Sequence, residues 1–183
     1  MKHFMTKTGE LKEGVNSASK VIVLKEIEDL FTSLGWKFIT KGKLIRLEDA
    51  EKKIIAWVLL HKTGFAHRTN LDEFRFQIED RKVFNYQTEE GARLVELATS
   101  GQERFLPIGF YHDKVNEVLI FSVISSRRIQ DHSINRSYYV SLSSLAEAQS
   151  GGFSYYHDSF GDRTFNFKLV NFPSAIKNLE YIF

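Results

Sequence analysis

Two polar segments of this chain carry side chains suited to reading the edges of nucleic-acid bases. The first is His61-Lys62-Thr63-Gly64-Phe65-Ala66-His67-Arg68-Thr69-Asn70. The second is Ser125-Ser126-Arg127-Arg128-Ile129-Gln130-Asp131-His132-Ser133-Ile134-Asn135-Arg136. An arginine can make two parallel hydrogen bonds to guanine, and an asparagine or glutamine can make two to adenine. Serine, threonine and lysine hold phosphates and fix register. Together the segments carry four Arg, one Lys, three His, two Asn and one Gln against a single acid, Asp131. The whole chain has 25 Lys and Arg against 23 Asp and Glu, a net charge of +2. Any anionic partner must therefore be met by local charge, and these segments concentrate it. The candidate contacts are Lys62, His67, Arg68, Thr69 and Asn70 from the first segment, and Arg127, Arg128, Gln130, Asn135 and Arg136 from the second. The plain alternative is a pair of ordinary solvated loops.

Other chemistry-bearing groups are less well placed. Asp49-Ala50-Glu51-Lys52-Lys53 has the Glu-x-Lys spacing of metal-dependent nucleases, whose carboxylates bind magnesium while the lysine helps orient water. The usual context is the end of a core strand with a second acid well upstream; here the motif lies in a charged turn before the strand and reads as a solvated hairpin. His112-Asp113, Asp131-His132 and His157-Asp158 fall in expected loops and lack metal-ligand spacing. Gly151-Gly152 lacks the frame of a phosphate loop, and no Gly-x-Ser-x-Gly elbow exists. There is no cysteine, so disulfides, thiolate metal sites and cysteine nucleophiles are excluded. No catalytic residue, metal or cofactor is expected, and the chain by itself is not expected to be an enzyme.

The elements that must position these segments are mostly strands. In 183 residues, 14% are aromatic and only two are proline, a bias toward strands. Residues 1–18 are polar and aperiodic and read as a flexible leader, and residues 19–183 as one domain. Val23, Leu24, Ile27, Leu30, Phe31 and Leu34 follow helical spacing, with Ser17 or Ser19 to start the helix and Gly35 to end it. Trp36–Ile39 and Lys43–Leu47 form an expected hairpin around Lys41-Gly42. Lys53–Leu60 reads as a central strand, apolar on both faces. Phe74–Ile78 alternates as a strand, and Ala92–Ala98 suggests a short helix. Phe105–Tyr111 and Glu117–Ile124 pair around His112-Asp113-Lys114. Ser137–Leu142 is a strand, and Ser144 with Glu147 is a possible capping box. Phe153–Tyr156 pairs with Thr164–Leu169, and Ala175–Tyr181 closes with a helical turn. The pattern is mainly β with two or three short helices (α+β), about eight strands, as in a small barrel or sandwich. The longest apolar run, Ile54–Leu60, is too short to span a bilayer as a helix, so no membrane partner is expected and a cytoplasmic setting fits.

From Val21 onward the chain resembles the DNA-recognition domains of restriction endonucleases of the EcoRII, BfiI and LlaJI kind. The matching stretches are Leu71-Asp72-Glu73-Phe74-Arg75-Phe76-Gln77-Ile78 after a polar loop, Gly109-Phe110-Tyr111 to Phe121 before a second one, and Leu145-Ala146-Glu147-Ala148 to Gly152-Phe153. The resemblance implies a seven- to eight-stranded pseudobarrel, shared with plant "B-three" transcription factors. It implies two arms, at His61–Asn70 and Arg127–Arg136, that clamp the major groove of double-stranded DNA. It also implies a partner, the catalytic segment or subunit of a restriction enzyme. Asp72-Glu73 fits poorly beside phosphates and reads as structural, with Arg68 or Arg75 as a partner, which leaves Arg75 in doubt as a contact. Two other readings stay open: a stand-alone metal-dependent nuclease using Asp49, Glu51 and Lys53, and a protein-interaction barrel.

Overall fold

In the computed structural model the described residues are 3–5, 11–13, 20–41, 44–65, 73–78, 103–113, 117–124, 136–157 and 163–178, with the isolated helical positions 89, 92, 93 and 96. Within the stretch read as a leader, β1 (His3–Met5) and β2 (Leu11–Glu13) pair antiparallel, with Phe4 opposite Lys12. Helix α1 (Lys20–Ser33) follows, and it buries Val23, Ile27 and Phe31 completely. Gly35 takes φ 75°, a left-handed turn open to glycine, and the next amide, that of Trp36, donates back to Phe31 O at 3.0 Å. Leu34, expected in the apolar stripe, is instead 51% exposed. It lies beyond the last helical residue, where the turn carries it off the core face.

Four strands follow: β3 (Lys37–Lys41), β4 (Leu44–Glu48), β5 (Ile55–Lys62) and the two-residue β6 (Gly64–Phe65). After these come β7 (Glu73–Ile78), β8 (Arg104–Asp113), β9 (Val118–Ile124) and β10 (Arg136–Ser141). The chain closes with helix α2 (Leu142–Gly151), β11 (Phe153–His157), β12 (Arg163–Lys168), a 3-10 turn (Leu169–Asn171) and helix α3 (Phe172–Lys177). The main sheet has seven strands in the order β11-β12-β9-β8-β5-β4-β3, and a second has the order β10-β7-β6. The architecture is mainly β with short helices, an α+β arrangement around an open mixed sheet. Every described pairing in the large sheet is antiparallel except β5–β8, which runs parallel from Ala56↔Arg104 to Lys62↔Phe110.

Strand periodicity divides the core in two. On one face of the large sheet Leu47, Val58, Leu60, Ile108, Phe110, Phe121, Val123 and Phe167 pack against α1 and α3. There Phe31 meets Phe172 edge-on at 5.3 Å, and Phe121 lies 4.9 Å from the same ring. On the other face Tyr111, Val118 and Ile120 meet Phe74 of β7, Val140 of β10 and Leu142, Leu145 and Ala148 of α2. Next to this second core lies a closed polar cluster. Ser122 Oγ donates to Asn166 Oδ1 at 2.6 Å, and Asn166 Nδ2 donates to Ser144 Oγ at 2.7 Å and Ser154 Oγ at 3.2 Å. All four residues are buried, so each hydroxyl must find such a partner.

The expected capping box at Ser144 and Glu147 is displaced by one helical turn. Strand β10 ends directly in α2, so its last residue, Ser141, is the N-cap and accepts from Ser144 N at 3.1 Å. Ser144 is thereby free to join the buried cluster. Gly152 ends α2 at φ 92°, donating to Ala148 O at 2.9 Å. Helix α3 starts three residues before the expected Ala175, with Pro173 in its first turn.

Candidate nucleic-acid interface

The first arm is rooted where the chain changes sheets. Strand β5 ends at His61 and exposed Lys62, still paired with β8 at Gly109 and Phe110. Thr63 then buries its side chain, and both its amide (3.0 Å) and its Oγ1 (2.9 Å) donate to Phe110 O. This double anchor ends the large-sheet pairing. The next two residues pair with β7 in the second sheet, Gly64↔Arg75 and Phe65↔Phe74. Segment 66–72 is thus the connection between β6 and β7. His67, Arg68, Thr69 and Asn70 lie outside the described residues.

The second arm is rooted differently. Strand β9 ends at Ile124, opposite Thr164 of β12. The chain is next described at Arg136, which opens β10 opposite Ile78. Arg127, Arg128, Gln130 and Asn135 lie outside the described residues, as does the side chain of Arg136. Both arms therefore adjoin β7, at opposite ends. The first joins its Glu73 end and the second reaches its Ile78 end through the β10 pairing. Six strand residues span five steps of about 3.4 Å, so the roots stand about 17 Å apart along the strand.

Glu73, at the first root, is buried and accepts a 2.5 Å hydrogen bond from the Tyr156 hydroxyl of β11. The structural reading of this acid holds with a tyrosine partner that the sequence reading did not name. Arg75 is exposed on β7. Of the catalytic candidates, the Asp49–Lys53 segment is a tight turn. Asp49 Oδ1 accepts from Lys53 N at 2.8 Å, Lys52 takes φ 57°, and exposed Glu51 pairs with exposed Lys53. The nearest strand acid, Glu48, is held by Arg46 at 2.5 Å and by Lys37 at 3.3 Å. The Arg46 hydrogen bond holds its carboxyl below the usual carboxylate range, against the opposing effect of burial.

His112 and Asp113, expected in a turn, belong to β8 instead. The pairing continues to Asp113↔Val118, and His112 is buried opposite Leu119. His157 likewise closes β11, opposite Arg163. The pair Asp131-His132 lies outside the described residues. Among the described residues, no three His, Asp or Glu side chains gather as a metal site. One exposed feature was missed: Phe153 and Tyr155 are 57% and 39% exposed on β11. The sequence signal was available, since Phe153-Ser154-Tyr155-Tyr156 next to Gly151-Gly152 alternates on a strand at the edge of its sheet.

These features define a mainly β, α+β domain whose described strands flank two polar segments, 66–72 and 125–135. The chain belongs to the methylase-associated X1 family, whose model matches residues 52–176, more than half of its length. The matched span takes in both arms and everything from β5 into α3. Membership links the chain to the methylases of restriction–modification systems. Comparison with the curated proteins and with the solved structures found no match. Among the described residues no helix is long and apolar enough to cross a membrane.

Proposed function

We propose that this chain binds double-stranded DNA sequence-specifically, as the target-recognition domain of a restriction–modification enzyme. The observation that supports the reading is that the strand residues flanking the two polar segments pair at opposite ends of β7, in a domain of a methylase-associated family. Arg127, Arg128, Gln130, Asn135 and Arg136 contact the major groove from one arm, and Lys62, His67, Arg68, Thr69 and Asn70 from the other. Two facts support a pseudobarrel of the kind found in EcoRII-type recognition domains. The chain passes from β5 into β6 through Thr63, and Tyr156 of β11 bonds to Glu73 of β7. In this reading, cleavage resides on another segment or subunit, the chain needs no cofactor to bind, and the setting is cytoplasmic.

The test is selection of bound sites from random duplexes, followed by titration of the selected site at several salt concentrations. A recognition domain yields a defined site and an affinity that falls steeply with salt, because phosphate contacts release counterions. Arg127→Ala or Arg128→Ala should weaken that site by about 1–3 kcal/mol where the arginine reads guanine. No enriched site, salt-indifferent binding and full affinity in both variants would instead favour the protein-interaction barrel.

A further inference from the structure

The face of the large sheet that packs α1 and α3 is left partly bare toward its β11 edge. Phe153 and Tyr155, with Phe165 of β12, floor a groove of about 560 Å³, in the size range that holds small ligands. The Tyr155 and Phe165 rings lie 5.0 Å apart, and Phe153 and Phe165 6.1 Å apart. The opposite wall presents Asn171, Ser174 and Asn178. Asn171 donates one amide hydrogen to Gly152 O and Asn178 one to Ser174 O, both at 2.9 Å. Each amide retains an acceptor oxygen and a second N–H. Among the described residues, none lining the groove is charged, but the guanidinium of Arg163 lies 4.3 Å from the centre of the Tyr155 ring.

The position of Arg163 gives the groove its meaning. The next residue, Thr164, pairs with Ile124, the last residue before the second arm. The groove therefore begins beside the root of that arm and runs toward α3. The other edge of the sheet differs: β3 presents the cations Lys37 and Lys41, the usual guard of an exposed strand edge. The β11 edge presents aromatic faces.

We infer that this groove binds an unstacked nucleobase of a single-stranded or locally unpaired nucleic acid. The exposed Phe153 ring supplies a stacking face, as aromatic side chains do for single strands. The asparagine amides and Ser174 supply hydrogen-bond groups for a base edge, and Arg163 stands where a flanking phosphate would lie. A purely apolar peptide would satisfy the rings and leave the amides and the arginine without a role. A base within an intact duplex enters the groove only after extrusion, so an already unpaired base is favoured over it. The proposal goes beyond the duplex reading and fails separately from it, because fully paired DNA does not use the groove.

The test uses the full chain, a fluorescent twelve-residue oligothymidylate, a duplex with one unpaired adenine, and the same duplex fully paired. Phe153→Ala should raise the Kd for the single strand and the bulged duplex roughly tenfold or more, and leave the paired duplex within about twofold. Phe153→Leu keeps apolar cover without a π face and should behave like the alanine variant. Arg163→Gln, which removes charge at the rim, should weaken the same two probes and reduce their salt dependence. Thermal melts of all variants should match the wild type, since Phe153 is largely exposed. Displacement of the labelled strand by millimolar deoxyadenosine monophosphate would assign the site to free nucleotides, and displacement by unlabelled strand alone to a base within a chain. Unchanged single-strand affinity in Phe153→Ala and Arg163→Gln would overturn the inference. So would full recovery in Phe153→Leu.

Discussion

Substituting one arm at a time should relax sequence preference at two separate places in one DNA site. The distance between them follows from β7. The arm roots adjoin its Glu73 and Ile78 ends, about 17 Å apart at a strand rise of about 3.4 Å per residue. In B-DNA successive base pairs are about 3.4 Å apart along each strand. Arms that leave those roots and follow the major groove as it winds therefore reach base pairs about five steps apart, half a helical turn. Arg68→Ala or Asn70→Ala should lower discrimination at one end of the site, and Asn135→Ala or Arg136→Ala at the other. Each lost base contact should cost about 1–3 kcal/mol, roughly additively across the two arms. The assay is equilibrium binding to every single-base variant of the selected site, one profile for each substitution. Both arms mapping to the same base pair would refute the spacing argument. A uniform loss over all sequences, with a shallower salt slope, would show that the arms hold phosphates and that other residues read bases.

Three further outcomes test the frame. Glu51→Ala and Lys53→Ala sit in an exposed turn and should change stability by no more than about 0.5 kcal/mol and leave DNA affinity intact; magnesium-dependent nicking by the wild-type chain that both variants lose would revive the nuclease reading. Asn166→Ala leaves the buried Ser122 hydroxyl without its acceptor and removes the amide bonds to Ser144 and Ser154, whose hydroxyls keep each other, and should cost about 1–3 kcal/mol in urea denaturation; a loss below about 0.5 kcal/mol would mean that the cluster is not closed as described. Glu48 has a carboxyl held below its ordinary value of 4.5 by Arg46, so its stabilising effect is complete above that value and disappears as the pH falls through the lower folded value. Urea midpoints measured from neutral pH down to about pH 3 should fall less steeply for Glu48→Gln than for wild type, and parallel curves would count against the Arg46–Glu48 pair as their source.

Local elements were legible in the sequence because local chemistry dictates them. The antiparallel pairs β3–β4, β8–β9 and β11–β12 are each made of alternating strands separated by a short polar stretch of sequence, and α1 shows its buried stripe at Val23, Ile27 and Phe31. Element ends were less legible. Leu34 continues the helical spacing but follows the last turn. His112-Asp113 has turn composition, yet β9 supplies pairing partners that carry β8 through it. Ser141 serves both as the end of a strand and as a helix cap, a double role that neither period reveals. The parallel β5–β8 pairing was beyond reach, since partners such as Trp57 and Phe105 meet only after a long crossover. Of the candidate site, Lys62 stands exposed at the end of β5 and Arg136 opens β10, while the other contacts lie on segments outside the described residues. Burial of Glu73 was illegible for a related reason, because its partner Tyr156 lies in a strand far along the chain.

The crossover between β5 and β8 also separates the scaffold from what it carries. Hydrogen bonding among β3, β4 and β5 is complete before the first arm begins, and β8, β9, β12 and β11 form their own ladder after it. Segment 66–72 interrupts neither ladder. Its ends are fixed by Thr63, which is tied to Phe110, and by Glu73, which is tied to Tyr156. Closure entropy grows slowly with the length of a connection, by about 0.6 kcal/mol for each doubling. The arm can therefore lengthen, shorten or exchange its residues while every strand keeps its register. Under the proposed function, target preference would change by drift in segment 66–72, with folding left nearly untouched.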